Sequence, residues 1–412
     1  MVKTGYKQTE VGVIPEDWKL LLLGKVAKVY RGGSPRPIQN YITNSSNGVN
    51  WIKIGDVREN EKYIYSTQEK ISPDGVAMSR EVRVGDFILS NSMSFGRPYI
   101  LRTNGCIHDG WLAIQEYGHA FSTEYLYYVL SSKIIYKQYI GMAAGSSVKN
   151  LNKDKVSSLM VICPPLPEQQ RIAEALSDVD GMISSLEKLI AKYKSIKTAC
   201  LQQMFPQNGE TVPRMRLPGF TGAWEQRKLG DISGVYDGVH QTPFYTDSGI
   251  MFLSVENIGT LKSNKYISEE AFNRDYKVYP QKGDILMTRI GDVGTPNVVE
   301  TSERVAFYVS LALLKPSNVD SYFLCNSILS PFFQSGLKER TLITAIPQKI
   351  NKDEIGNVRL FLPSSTDEQV KIGVFFQQLD NLITLHQRKL EKIQKIKQGM
   401  MQQLLTGKIR LV

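Results

Sequence analysis

The sequence contains no complete catalytic motif. Two Gly-Lys pairs, at residues 24–25 and 407–408, resemble the end of a phosphate-binding P-loop. Both lack the glycine five residues earlier and the serine or threonine that must follow the lysine. The Cys-Pro-Pro-Leu stretch at 163–166 is nearest to the Asn/Asp-Pro-Pro-aromatic signature of adenine methyltransferases, and it lacks both end residues. We therefore expect no enzyme active site on this chain.

Metal and cofactor chemistry also lacks the residues it needs. The histidines are dispersed, and the cysteines, which form no Cys-x-x-Cys pair, are Cys106, Cys163, Cys200 and Cys325. This usage predicts reduced, mostly buried thiols in a cytosolic protein, with no metal site. No Gly-rich dinucleotide fingerprint appears, so we expect no cofactor bound by this chain. No secretion signal or membrane-spanning segment is apparent either.

Binding, rather than catalysis, is what the composition favours. The formal net charge is +10 and the isoelectric point is about 9.2, which raises the odds of a polyanionic partner such as DNA. Candidate contacts are cationic, amide and hydroxyl side chains in loops after short strands, where they can reach phosphates and base edges. The candidates are Arg36, Lys53, Asn91, Ser92, Arg97 and Lys149 in the first half, and Gln241, Arg289, Thr295, Gln348 and Lys349 in the second.

Some of these side chains carry functional groups that can hydrogen-bond directly to base edges. Arg97 and Arg289 could bind guanine with two hydrogen bonds, and Asn91 or Gln241 could do the same with adenine. For each residue taken singly, solvation of a surface loop is the simpler alternative.

The elements that must position these residues come from an internal duplication. Trp18 aligns with Trp224, and Gly85-Asp86 aligns with Gly283-Asp284 in a second copy about 200 residues later. A period this long indicates duplicated domains rather than a solenoid. Each copy contains short β-rich runs and helical stretches, followed by a long helix that opens with the same Glu-Gln pair. This predicts a mixed α+β fold with two similar domains.

The long helices carry the strongest periodic pattern. Apolar residues recur at alternating spacings of four and three, as in a coiled-coil seam. An amphipathic helix lying on its own domain is the alternative. The predicted seam consists of Ile172, Leu176, Val179, Ile183, Leu186 and Ile190, with Ile372, Phe376, Leu379, Ile383, Leu390 and Ile393. His386 also falls on the seam, and we interpret it as a packed residue rather than a ligand.

Charge order along the helices predicts how they pair. Each is mostly acidic in its first half and mostly basic in its second half, so an antiparallel pair aligns opposite charges. We predict two globular domains held apart, with pseudo-twofold symmetry, by this helical spacer. The predicted boundaries are 1–160 for the first domain, 165–205 for the central helix, 206–221 for a linker, 222–362 for the second domain and 365–412 for the C-terminal helix.

Taken together, these segments resemble the specificity subunit of Type I restriction-modification systems. The resemblance rests on the helix "PPLPEQQRIAEALSDVDGMISSLEKLIAKYKSIKTACLQQMF", the N-terminal "VGVIPEDWKLLLLGKVAKVYRGGSPRP" and the C-terminal "KIQKIKQGMMQQLLTGKIRLV". It covers essentially the whole chain. The helix motifs are specific in combination, whereas no short string is specific alone.

The resemblance implies a division of labour. Two target-recognition domains would each read one half of a bipartite double-stranded DNA site, and the spacer would set the gap. Two methylation subunits and the restriction subunits would be the partners, and they would carry S-adenosylmethionine, ATP and Mg. The alternatives are a coiled-coil scaffold that binds protein alone, and the specificity subunit of a fused nuclease-methylase system.

Overall fold

The computed structural model describes residues 4–58, 61–91, 96–143 and 151–412. The chain forms two compact units: unit 1 comprises Met1–Ser185 with Leu390–Val412, and unit 2 comprises Leu186–Lys389. Each long helix is thus divided between the units, whereas the sequence-based boundaries treat each helix as a separate segment. Those finer domain boundaries stay a prediction.

Unit 1 is built from short strands and helices that precede the first long helix. Its helices are α1 (Leu23–Val26), α2 (Pro73–Val76), α3 (Thr123–Leu130), α4 (Lys133–Ala143) and α5 (Lys153–Ser157). Its strands are β1 (Tyr6–Thr9), β2 (Gly12–Pro15), β3 (Lys19–Leu22), β4 (Lys28–Arg31), β5 (Val49–Ile52), β6 (Tyr63–Ile64), β7 (Glu69–Ile71), β8 (Arg80–Val82), β9 (Phe87–Ser90), β10 (Pro98–Leu101), β11 (Gly105–Ile107), β12 (Trp111–Gln115) and β13 (Met160–Cys163). The long helix α6 (Leu166–Gln203) follows.

Unit 2 repeats this plan. Its strands are β14 (Glu225–Lys228), β15 (Ser233–Asp237), β16 (Ile250–Leu253), β17 (Tyr266–Ile267), β18 (Ile285–Ile290), β19 (Asp292–Val298), β20 (Val305–Phe307), β21 (Leu311–Pro316) and β22 (Arg359–Leu362). Its shorter helices are α7 (Glu269–Asp275), α8 (Ser321–Ile328), α9 (Pro331–Arg340) and α10 (Lys352–Asn357). The long helix α11 (Thr366–Leu404) follows, and its last part, from Leu390, belongs to unit 1.

The sheets of the two units share a topology. The larger sheets run β4-β12-β9-β10-β6 in unit 1 and β15-β21-β18-β19 in unit 2. In both, the first and third strands are antiparallel to the second, so they are parallel to each other and end at the same edge. Smaller sheets run β7-β5-β11-β8 and β17-β16-β20. These findings confirm a mixed α+β fold with an internal duplication.

The start of each long helix packs into the core of its unit. In unit 1, Trp18, Tyr125 and Leu176 are fully buried in one apolar cluster. In unit 2, Phe323 and Phe376 are fully buried in another cluster. Burying one such side chain contributes about 1.5–3 kcal/mol relative to leaving it exposed. The helices are therefore parts of the units rather than detached rods.

The two long helices pair antiparallel inside each unit. In unit 1 the Lys397 amine lies 2.5 Å from an Asp180 carboxylate oxygen. In unit 2 the Lys197 amine lies 2.6 Å from an Asp380 oxygen. These ion pairs match the predicted alignment of acidic with basic halves. The predicted seam residues are buried or half-buried at all their positions.

Candidate nucleic-acid interface

In unit 1, several of the predicted DNA contacts lie at one edge of the large sheet. This edge, called edge 1, consists of loop 32–37 after β4, residues 91 and 96–97 between β9 and β10, and turn 108–110 before β12. The register places Arg31 opposite Leu112 and Ser90 opposite Trp111. Loops after parallel strands therefore meet here, where the duplicated frame can present variable side chains.

Arg36 is the most exposed predicted contact in edge 1. Its side chain is 81% exposed, and its guanidinium lies 3.3 Å from the Asp109 carboxylate. Burial raises the Asp109 pKa, but the hydrogen bond from the Ser34 hydroxyl and the charges of His108 and Arg36 outweigh burial and lower it. Asp109 therefore stays ionised at neutral pH and holds Arg36 loosely at the surface.

Asn91 has a structural position in edge 1. It is buried, and its side-chain amide donates to the Asp109 carbonyl at 3.1 Å. Its backbone N–H donates to the Gly110 carbonyl, and its carbonyl accepts from the Leu151 N–H at 2.9 Å. The amide therefore stabilises the turn before β12, so adenine readout by Asn91 would require that contact to break.

Arg97 and Lys53 lie nearby. The Arg97 guanidinium is 5.8 Å from the centre of the Tyr99 ring. Lys53 follows β5, whose last residue, Ile52, accepts a hydrogen bond from the His108 N–H. The Lys53 amine is paired with Glu69 and remains about one third exposed. The other two candidates of this half, Ser92 and Lys149, lie outside the described residues.

The predicted contacts of unit 2 are gathered in the same way. Edge 2 consists of loop 238–249 after β15, Gly291 between β18 and β19, turn 308–310 before β21, and loop 341–350. The register places Asp237 opposite Ala312 and Thr288 opposite Leu311, in the same relation as edge 1. Edge 2 is therefore the duplicated counterpart of edge 1.

Arg289 has a buried structural role that sequence reasoning did not predict. Its side chain is 7% exposed, its guanidinium forms an ion pair with Asp237, and its Nε donates to the Ile350 carbonyl at 3.0 Å. Burial lowers the pKa of this guanidinium. Its backbone pairs with Ser310 and Ile350 as Asn91 pairs with its own turn. These contacts hold the guanidinium inside the fold, so guanine readout by Arg289 would require the ion pair with Asp237 to break.

The remaining candidates of unit 2 differ in exposure. Thr295 is half-buried, and its hydroxyl donates to the Asp292 carboxylate at 2.7 Å. Gln348 and Lys349 are exposed, and the Gln348 amide donates to the Gly291 carbonyl at 2.9 Å. Gln241 is exposed on the loop after β15. Gln241, Gln348 and Lys349 are therefore the side chains of edge 2 best placed to reach DNA.

The repeated Glu-Gln pair has a function that sequence reasoning missed. In unit 1 the Glu168 carboxylate is 3% exposed and accepts hydrogen bonds from Arg410 at 2.7 and 2.8 Å. The Trp18 indole N–H donates to it at 2.9 Å, and the Leu411 N–H donates at 3.2 Å. Arg410 also pairs with Asp17 at 2.7 Å. Glu168 therefore joins the start of α6 to the tail that follows α11.

Unit 2 contains the matching arrangement. The Glu368 carboxylate is 1% exposed and accepts from the Arg216 guanidinium through two 2.8 Å hydrogen bonds. Gln169 and Gln369 accept the backbone N–H of Ser122 and Asp320, the residues at the starts of α3 and α8. We call each of these glutamate–arginine contacts, Glu168 with Arg410 and Glu368 with Arg216, a clamp. The sequence signal that could have predicted the two clamps is the pair Met-Arg-Leu at 215–217 and Ile-Arg-Leu at 409–411.

Neither metal chemistry nor membrane insertion is suggested by the described part of the chain. Within it, no group of three or more His, Cys, Asp or Glu side chains could hold a metal ion. His386 stacks on Tyr193, with ring centres 5.6 Å apart. Among the described helices, none is long and apolar enough to cross a bilayer.

The family model and the similar known proteins agree on one family. The model of the Type I restriction modification DNA specificity domain matches residues 15–196 and 222–395. The chain is similar to the Type I restriction enzyme MjaVIII specificity subunit of Methanocaldococcus jannaschii, with 22% identity over 97% of this chain and 94% of the relative. It is also similar to the putative MjaX specificity subunit of that organism, with 24% identity over 98% and 97%.

Solved structures show the same fold. A Type-I restriction-modification system S subunit from M. genitalium has a TM-score of 0.59 at 14% identity, covering 94% of this chain and 96% of that one. A chain from work on complex assembly and conformational transition of the type I R-M system also has a TM-score of 0.59, at 20% identity, covering 96% and 99%. The fold predicted from the duplication is therefore shared along nearly the whole chain.

Proposed function

Because this chain belongs to the family of Type I restriction modification DNA specificity domains, we propose that it reads a two-part DNA site, with edge 1 contacting one half and edge 2 the other. The observation that carries this proposal is the duplicated frame with different side chains on it. Edge 1 presents Arg36 and Arg97, with Lys53 nearby, whereas edge 2 presents Gln348 and Lys349. The same fold with different polar side chains at its two edges suits recognition of two different half-sequences.

The contacts at the edges divide between phosphate and base. Arg36, Lys53 and Lys349 carry charge at exposed or half-exposed positions, and each neutralised phosphate contributes a salt-dependent share of affinity. Gln241 and Gln348 carry amides that can pair with adenine in the major groove. Arg97 stays a candidate for guanine. The candidates Ser92, Lys149 and Thr295 remain secondary, the last because Asp292 holds its hydroxyl.

Catalysis in this scheme belongs to partner subunits. We propose that methylation subunits and restriction subunits assemble on this chain, and that they bind S-adenosylmethionine, ATP and Mg. The work on the related type I R-M system concerns complex assembly, which supports a multi-subunit setting. The family match favours a non-catalytic role for the chain itself.

The test is a genome-wide map of methylated adenines in the host, with and without the gene for this chain. Loss of one interrupted two-part motif on deletion is the expected result, and it would give both half-sequences and the gap. An unchanged map, together with DNA affinity that varies little with salt, would contradict the proposal and favour a protein-binding scaffold.

A further inference from the structure

Loop 341–350 presents apolar side chains to solvent at edge 2. Ile346 is fully exposed, and Ile343 is 72% exposed. The loop is pinned at its base because the Leu342 N–H donates to the Lys349 carbonyl at 2.8 Å. The Gly291 N–H also donates to the Gln348 carbonyl at 2.8 Å. The isoleucines therefore lie on a short projection with a fixed base, which we call the tip loop.

Exposed isoleucines on a pinned loop do not stabilise the free chain. A single exposed apolar residue is ordinary on a protein surface, and it needs no explanation. Here two of them share one tip, while the interior of unit 2 beside the loop is filled by fully buried side chains such as Ile350 and Phe333. The apolar tip is therefore available for a ligand rather than needed for the fold.

The surroundings of the tip loop favour DNA as the occupant. Lys349 and Gln348, at the base of the loop, are exposed donors suited to phosphate and base edges. Two carboxylates that border edge 2 are engaged internally, since Asp237 pairs with Arg289 and Asp292 accepts from the Thr295 hydroxyl. Asp247, in loop 238–249, is exposed. The side chains at the base of the tip loop itself, Lys349 and Gln348, therefore suit a polyanion.

The small size of the apolar tip also favours DNA over a protein partner. A stable protein interface buries about 800 Å² per partner, far more than two isoleucine side chains offer. A step between two base pairs is a narrow apolar slot that one aliphatic side chain can enter. Continuity with the polar part of edge 2 places such a slot beside the tip once DNA is bound there.

We propose that Ile346, supported by Ile343, inserts as an apolar wedge between adjacent base pairs of the half-site bound by unit 2. Insertion of this kind unstacks the step and bends the duplex, by roughly 20–90° in proteins that use it. Flexible pyrimidine–purine steps would accept the wedge most easily, so sequence would be read through deformability as well as through hydrogen bonds. This inference rests on the proposed function, because it requires edge 2 to face DNA.

The experiment uses the full chain assembled with its methylation subunits and a duplex carrying the mapped two-part site. The adenine analogue 2-aminopurine, whose fluorescence rises on unstacking, replaces successive purines other than the methylated adenine. With the unaltered chain we expect a fluorescence rise at one step of the half-site bound by unit 2. The double variant Ile343→Ser with Ile346→Ser should lose that rise while keeping signals in the other half-site.

Two variants serve as controls. Val278→Ser alters a partly exposed apolar residue in the connection that leads to the opposite end of β18, and it should retain the rise. Lys349→Gln should weaken binding but keep the rise in saturated complexes. Thermal unfolding of each variant checks that the surface changes leave the fold intact.

The outcomes separate the wedge from the function it rests on. Normal binding with an unchanged rise in the double serine variant overturns the wedge and leaves the two-part reading in place. Loss of assembly with the methylation subunits in that variant, with DNA signals intact, overturns it in favour of protein docking. Failure of the unaltered assembly to bind the mapped duplex overturns both.

Discussion

Replacing Arg410 with glutamine tests the clamp that joins the start of α6 to the tail after α11. The change removes the guanidinium from Glu168, which is 3% exposed and would keep its contacts with Trp18 and Leu411. Breaking a buried ion pair by removing one partner costs about 3–5 kcal/mol. Because the Arg410 side chain is one quarter exposed, we expect a loss near the lower end, about 3 kcal/mol, in the free energy of unfolding of unit 1.

The measurement combines urea unfolding with hydrogen exchange read by mass spectrometry. Amides at the start of α6 and around Trp18 should exchange faster in Arg410→Gln, while those at the start of α11 should not change. Arg216→Gln should give the reverse pattern, because Arg216 pairs with Glu368 in unit 2. The matched control is Arg214→Gln, since Arg214 is 67% exposed and an exposed pair contributes about 0.2–1 kcal/mol.

A double variant measures the coupling directly. If Glu168→Gln and Arg410→Gln interact through the clamp, their combined loss should be smaller than the sum of the separate losses. The reasoning is refuted if Arg410→Gln unfolds like Arg214→Gln, or if the faster exchange appears at the start of α11.

Three further results are expected. Lys349→Gln should lower DNA affinity about equally for all sequences and reduce the slope of log affinity against log salt by about 0.9. Lys277→Gln, which alters an exposed lysine in the connection between α7 and β18, should leave that slope unchanged. Inserting seven residues in register into both long helices should lengthen the gap between the two half-sites by about three base pairs, because each helical residue adds about 1.5 Å. Altered half-sequences would contradict the proposal that the domains read sequence while the helices set the gap. Burial raises the pKa of the Cys106 thiol to about 11 and that of the Cys325 thiol to about 12. At pH 8 both thiols should therefore be alkylated about a hundredfold or more slowly in the folded chain than in urea, with the rates measured by mass spectrometry. Equal rates in the folded and unfolded chain would contradict their burial.

The duplication, the long helices and their antiparallel pairing were predictable because they rest on repeated and periodic sequence patterns. Proline and glycine lie where helix ends favour them: Pro167 lies in the first turn of α6, and Gly407, with φ of +69°, lies just after α11. Ser365 and Glu368 have the spacing of a capping box at the start of α11. The Glu368 N–H approaches the Ser365 hydroxyl at 3.4 Å, but its carboxylate binds Arg216 instead of the helix start.

The functions of individual polar residues were harder to predict because they depend on partners distant in sequence. In the sequence Glu168 is one of several acids in the first half of a helix, yet its partner Arg410 lies 242 residues away. Arg289 has a guanidinium suited to base readout and lies near the end of strand β18, but the Asp237 carboxylate and the Ile350 carbonyl bind it inside the fold. Local pattern predicts which element a side chain occupies, and tertiary contacts decide what it touches.

The clamp carries a historical implication. In unit 1 the carboxylate comes from the first repeat and the arginine from the second, while in unit 2 the contributions are reversed. This reciprocal exchange is what a segment-swapped homodimer of a single-repeat ancestor would have contained, with each copy lending its tail to the other. Gene fusion would then have preserved both contacts while releasing the two edges to diverge. Single-repeat chains able to lend each other this tail would be expected to pair and to recognise palindromes.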